Sequence, residues 1–307
     1  MGKTNTITKD YMSNPQYFAD SFNYYLFEGK QIIKSNNLQM LDPTEMAIIP
    51  KEASDETVEK IRDVLKQCIL MADDKATYLM LGIENQADVH YALPVKNMIY
   101  DALNYGKQVS ETAKKHRENK DVHRSAEFLS GFTKNDKLKP LITLTIYFGG
   151  DDWDAPRSLK EMFDTTDETI LRFVEDYRVH LIVPKEIEDF SRFSTDLGKA
   201  MRFIAISEDK DLLWKLQQDE QYKRVDTETV RLINVCTKGD LPIEQKEETN
   251  VCKGLEGIRE DGKIEGKIEG IELTKKVYKL ERKGKSAEEI AKECNLSIVE
   301  VEEILKE

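Results

Sequence analysis

Three polar side chains, Glu84, Asn85 and Gln86, close the apolar run Tyr78-Leu79-Met80-Leu81-Gly82-Ile83. A continuous apolar run of this length reads as a strand covered on both faces. Side chains alternate along a strand, so Glu84 and Gln86 share one face. An ionised carboxylate leaving water there is costly unless a charge or hydrogen-bond donors meet it. No Lys or Arg follows until Lys96. A divalent cation shared with a second carboxylate would answer the need. Asp63 is the candidate, because residues 62–70 also read as a strand and Asp73-Asp74 read as turn residues. An antiparallel hairpin centred on that turn sets Asp63 directly across from Glu84, with side chains about 5 Å apart. The plainer alternative is an Asp at a strand edge in water, with Glu84 and Gln86 at an exposed strand end.

Asp63, a hairpin and then Glu84-Asn85-Gln86 resembles the PD-(D/E)XK nuclease active site, in the variant that carries glutamine in place of the lysine. The surrounding segments, Tyr91-Ala92-Leu93-Pro94-Val95 and Tyr100-Asp101-Ala102-Leu103, are similar to those of the Rpn/YhgA-like recombination-promoting nucleases, often labelled transposases. The likeness runs along most of the chain. It implies a metal-dependent DNA endonuclease hydrolysing phosphodiester bonds, tied to recombination or mobile DNA, on a restriction-endonuclease-like αβββαβ core. It also implies Asp63, Glu84 and the Asn85 carbonyl as ligands of Mg2+ or Mn2+, and Asp63, Glu84 and Gln86 as the catalytic set. Such a hard cation takes oxygen ligands and keeps several waters. It supplies Lewis acidity and lowers the pKa of bound water.

Gln86 can orient a water or a phosphate oxygen, but it brings no positive charge. Lys96, near the start of the next helix, is the candidate substitute; an ordinary surface lysine is the plainer reading. Lys66 falls on the opposite strand face from Asp63. Some members of the family add an acid from the first helix, which points to Asp20, although a solvated helix residue explains Asp20 as simply. The rival function is a non-catalytic DNA- or protein-binding module on a degenerate nuclease scaffold. The missing lysine and the acidic net charge favour it.

The chain has 307 residues, a net charge of −12, 39% hydrophobic and 34% charged residues, enough for a sizeable core under a very polar surface. That charge is not the signature of a protein that coats nucleic acid, so DNA contact must be local. Residues 96–139 hold ten Lys or Arg and six Asp or Glu, and His116 and His123 can add to them. Such a stretch can position phosphates, or it can be a solvated helix and loop. The four cysteines form no C-x-x-C pair, which suits a reducing cytosol and argues against a zinc site. The four histidines, including His90 close after Gln86, make no zinc spacing, and no P-loop, G-x-G-x-x-G or G-x-S-x-G is present. No signal peptide or membrane span is expected, which makes a cytoplasmic protein the expectation.

Elements that must position these groups follow from the patterning. The first ten residues read as frayed, a helix starts at Pro15 and ends at Gly29, and residues 45–50 form a short strand. Residues 54–59 are helix-compatible, and the Asp63 hairpin follows. A helix over 94–115, a strand over 138–148, a helical segment over 171–177 and a strand over 179–183 complete an α/β sandwich with a mixed sheet. Helices over 190–206, 210–217 and 227–235 pack beside it, ending the first domain at residue 236. Residues 237–271 read as a polar linker and a Gly-Lys-Ile-Glu repeat, either a charged tether or a helix that pairs with a second chain, giving a homo-oligomer. Residues 272–307 read as a helix-turn-helix-like tail with capping boxes at Ser286 and Ser297. Its second helix is too acidic to approach phosphate, so a protein contact is expected there.

Overall fold

The computed structural model describes residues 3–306 apart from 43, 50–55, 62, 73–74, 123 and 245. The Asp73-Asp74 turn, Pro50, Ser54 and His123 lie outside the described residues. Helices α1 (Lys3–Ser13) and α2 (Pro15–Phe27) lead into β1 (Leu38–Met40), β2 (Thr44–Ile49), β3 (Glu56–Ile61), β4 (Val64–Ala72) and β5 (Lys75–Gln86). Next come α3 (Leu93–Asn119), α4 (Ser125–Ser130), β6 (Leu141–Tyr147), α5 (Glu168–Leu171) and β7 (His180–Ile182). The chain ends with α6 (Leu197–Ile206), α7 (Lys210–Leu216), β8 (Val225–Asp226), α8 (Thr227–Thr237), β9 (Glu248–Thr249), α9 (Val251–Glu281), α10 (Ala287–Cys294) and α11 (Ile298–Lys306).

The fold is α/β. Its main sheet runs β1-β4-β5-β6-β7, antiparallel from β1 to β5 and parallel from β5 to β7. The long apolar β5 lies in its middle, which is why its run is continuous rather than alternating. On one face, Val64, Cys68, Leu81, Ile83, Leu144 and Ile146 pack with Phe18 and Phe22 of α2 and with α6 and α8. On the other, Leu65, Met80 and Leu141 meet Tyr105 of α3, while Leu93 at the start of α3 packs with Tyr147 and Trp153. Asn14 caps α2 by accepting from the Gln16 amide, Pro15 opens it, and the helix closes through left-handed Glu28 and Gly29. A Cβ at Gly29 would lie 2.5 Å from the Arg192 carbonyl oxygen, so this turn tolerates no side chain.

Several expectations are corrected. Residues 3–13 are helical because Tyr11 and Met12 are buried in the core and Tyr11 Oη bonds Thr229 Oγ1 at 2.7 Å. Residues 56–61 are strand, paired with β2 in a separate two-stranded sheet, so the added strand of the main sheet is β1. Only Glu168–Leu171 is helical near 171–177, and the rest runs irregularly into Tyr177, whose backbone bonds Leu159. Residues 237–250 do not form a free linker: Asn234 clasps both backbone groups of Leu241, and Glu247 accepts from the Thr227 amide. The proposed boundary between residues 271 and 272 falls inside the single helix α9. Its last turns join α10 and α11 around Val277, Leu280, Ile290 and Val301. Both tail capping boxes form, at Ser286 with Glu289 and at Ser297 with Glu300.

Lys66 shows how tightly the first face is sealed. Its side chain is 2% exposed, its Nζ donates to the Ser13 carbonyl at 2.7 Å, and it lies 4.6 Å from the Phe18 ring centre. Burial pushes its pKa down to about 8. A folded value below the unfolded one means the charged form costs stability below pH 8, and that the cost fades as pH rises through the unfolded value near 10.5. Lys66→Met is therefore expected to stabilise the protein by about 1–2 kcal/mol at pH 7. Chemical denaturation of both proteins at pH 7 and near pH 10.5 checks this. A gain that does not shrink at the higher pH would refute it.

Candidate functional site

The hairpin pairs Val64 with Ile83 and runs in register to Ala72 with Lys75. One residue beyond its open end, the same register sets Asp63 against Glu84. Asp63 sits in the bend before β4, half-buried, and its Oδ2 accepts from the Asn85 amide at 2.9 Å. On a strand the N–H and C=O of one residue point to the same edge, so the Asn85 carbonyl shares the edge on which Asp63 lies. Glu84 is 2% exposed, and its Oε2 is 3.2 Å from Lys96 Nζ. Gln86 is buried on the Glu84 face, and its carbonyl accepts from the Phe148 amide at 2.8 Å.

Lys96 reaches Glu84 because the connection from β5 to α3 is short and Leu93, fully buried, fixes where the helix begins. Lys96 then lies in the first turn and its side chain spans back to the strand end. Asp20 goes elsewhere. Buried in α2, it accepts from the amides and hydroxyls of Ser194 and Thr195 at 2.6–3.0 Å, which fixes the turn before α6. Four donors saturate this carboxylate, so Asp20 is no part of the Asp63–Glu84 group. Lys66 points to the α1–α2 face, as the alternation required.

Two further residues belong to the neighbourhood. Thr145 of β6 is the parallel partner of Glu84, and its Oγ1 accepts from Asn97 Nδ2 at 2.9 Å. Asn97 Oδ1 is buried with no hydrogen-bond partner among the described residues, as are Asn85 Oδ1 and Nδ2. The sequence offered one signal for Asn97, an uncharged polar residue beside Lys96 at a helix start, but nothing tied it to β6. Farther along α3, Asp101 accepts from Thr143 Oγ1 at 2.5 Å and from Tyr177 Oη at 2.7 Å. His90 accepts from the Ala92 amide at 3.2 Å. Burial, and then the Lys96 charge, hold its pKa below the usual histidine value, so it is neutral at pH 7.

The donor set suits a hard divalent cation. Asp63, Glu84 and the Asn85 carbonyl offer oxygen, Asn97 Oδ1 is a buried oxygen without a donor, and the Lys96 ammonium marks where Glu84 holds positive charge. Among the described residues, no group of three or more His, Cys, Asp or Glu side chains comes together to hold a metal. Any ion here would rest on two carboxylates and backbone or amide oxygens. No family model matches the chain, and no curated protein or solved structure proves similar to it. Among the described residues no helix is long and apolar enough to cross a membrane.

Removing the Lys96 charge leaves a buried carboxylate poorly compensated, which destabilises far more than losing an exposed pair. Lys96→Met is expected to cost about 1–3 kcal/mol, and Glu84→Gln should recover part of that in the double variant. Urea denaturation of the four proteins measures the coupling; strictly additive effects would mean the contact is not an energetic pair.

Proposed function

We propose that this protein is a metal-dependent DNA endonuclease that hydrolyses phosphodiester bonds, acting in recombination or on mobile DNA, with a nuclease core formed by α2, the β4–β5 hairpin, α3 and β6. The observation that carries this reading is the Glu84–Lys96 contact beside Asp63: carboxylates and a cation meet at the end of β5, in the place where the Glu84-Asn85-Gln86 motif lacks its lysine. Mg2+ or Mn2+ bound by Asp63, Glu84 and the Asn85 carbonyl would supply Lewis acidity and a more acidic water.

The chain's own residues divide the remaining work. The Asn85 amide orients Asp63. Gln86, on the Glu84 face, hydrogen-bonds the attacking water or a phosphate oxygen through its carboxamide. Lys96 supplies the positive charge that Gln86 cannot, leaving Glu84 to meet the charge that builds on phosphate. The acidic α11, with Glu300, Glu302 and Glu303, serves a protein contact, a second copy included, rather than DNA reading.

Plasmid nicking or linearisation in Mg2+ or Mn2+ tests the assignment. Asp63→Ala and Glu84→Ala should each lower the rate at least about 100-fold, and Lys96→Ala about 10- to 100-fold. Cleavage by Asp63→Ala and Glu84→Ala equal to wild type would remove the assignment. One feature favours the second reading, a non-catalytic DNA- or protein-binding module: uncharged Gln86 stands where the motif would carry lysine, in a chain of net charge −12. Calorimetry showing no divalent binding at millimolar concentration, with DNA or partner binding intact, would decide for it.

A further inference from the structure

α3 runs for 27 residues from the candidate site to a protruding corner. At that corner α4 presents Phe128 and Leu129, 80% and 89% exposed. They are held there firmly. Gly131 ends α4 with a φ of 66°, and a Cβ on it would lie 2.4 Å from Ala113 Cβ, so the α4 turn presses directly on α3. His116 of α3 bonds Asp121 at 2.7 Å through Nδ1 and Asp136 at 2.9 Å through Nε2, tying both sides of the α4 excursion to the helix. A cleft of about 430 Å3 lies between this apolar pair and His116, Arg117 and Lys120.

Cations outnumber carboxylates in the corner, although Glu127 of α4 directly precedes Phe128. Asp121 and Asp136 are turned onto His116, whose pKa their hydrogen bonds raise, and Glu118 lies 3.9 Å from Lys114. Among the described residues no ion pair engages Arg117, Lys120 or Arg124. Between this corner and Lys96 lies a second groove, of about 480 Å3, in which Lys107, Lys115, Lys137 and Lys139 outnumber Asp42 and Glu111. Along α3, Lys96, Lys107, Lys114, Lys115 and Arg117 outnumber Asp101, Glu111 and Glu118. At 1.5 Å of rise per residue, Lys96 and Arg117 lie about 32 Å apart along the axis, roughly one turn of duplex DNA.

The geometry points to α3 as the floor of a duplex-DNA track, with Phe128 and Leu129 inserted into the base stack one turn from the Asp63–Glu84 end. Paired exposed apolar side chains ringed by cations are what proteins use to wedge between base steps while the cations hold the flanking phosphates. Lys107, Lys115 and Lys137 bind the intervening backbone, which fixes position without reading sequence. The inference rests on DNA being the substrate and adds where the duplex lies and which residues distort it.

The test uses full-length protein in EDTA, so that binding is measured without cleavage, and 20-base-pair duplexes carrying 2-aminopurine at successive positions. Wild type should brighten the probe at one step. Phe128→Ala/Leu129→Ala should abolish that signal and weaken binding about 10-fold. Lys115→Gln/Lys137→Gln should keep the signal, weaken binding on all sequences and lower the salt slope by about 1–2. Unchanged binding and unchanged probe emission in Phe128→Ala/Leu129→Ala would overturn the wedge and leave the nuclease reading to the Asp63 and Glu84 variants. No duplex binding by wild type would overturn the track and the DNA substrate together. The same apolar–basic corner could meet a lipid surface. Sedimentation with phosphatidylserine–phosphatidylcholine vesicles that fails only in Phe128→Ala/Leu129→Ala, with duplex binding untouched, would assign the corner to membrane instead.

Discussion

A carboxylate buried at the end of a central strand needs a counter-charge, and that demand organises this molecule. Glu84 cannot move to solvent, because β5 lies between β4 and β6 and its face is covered by α3. Lys96 meets it only if α3 starts within a side chain's length of the strand end. Leu93, packed against Tyr147 and Trp153, secures that start. The Asn97–Thr145 and Asp101–Thr143 hydrogen bonds then stitch it to β6. The electrostatic pair and the apolar contact thus set the same helix axis.

Two carboxylates are buried on opposite sides of the sheet, and the contrast between them separates structure from chemistry. Asp20 is met by four neutral donors from two adjacent residues, an arrangement that fixes a turn and leaves no lone pair to give to a ligand. Glu84 is met by an ammonium on a flexible stem that is itself partly exposed. An ammonium can swing to a phosphate and be replaced by a metal ion, whereas backbone amides cannot leave. Of the two sites, only the one at Glu84 can exchange its partner without unfolding anything.

Much of this was legible in the sequence where the signal was local and periodic. The unbroken apolar run of β5 announced a strand covered on both faces, and the position of the turn fixed the register that sets Asp63 across from Glu84. The Ser286 and Ser297 boxes marked α10 and α11 because capping is a matter of three residues. What the sequence withheld depends on distant contacts. Asp20 finds its donors 174 residues away, and residues 56–61 become strand only by pairing with β2. The glycines at 262, 266 and 270 argued against order, since each costs about 1 kcal/mol in a helix interior. Yet α9 runs through them, anchored at both ends, by Val251 and Leu255 on the core and by Val277 and Leu280 in the tail. Lys96 was visible only as a charge near a helix start, because its reach depends on how tightly α3 abuts β5.

The acidity of the whole chain and the cations of α3 act at different ranges. A net charge of −12 is largely screened from a polyanion that lies farther off than the screening length, about 8 Å in physiological salt. Inside that distance the nearest side chains decide, and along α3 these are mostly lysine and arginine, with Asp121 and Asp136 turned onto His116. If nucleic acid is the partner, as proposed, such an arrangement would discourage random coating while permitting attachment where shape brings phosphates onto one helix. On the proposed DNA reading, affinity would depend on how many phosphates meet α3 together, so a duplex long enough to span from Lys96 to Arg117 would be held better than a short one. On that reading the 27 residues of α3 would turn scattered surface lysines into a ruler.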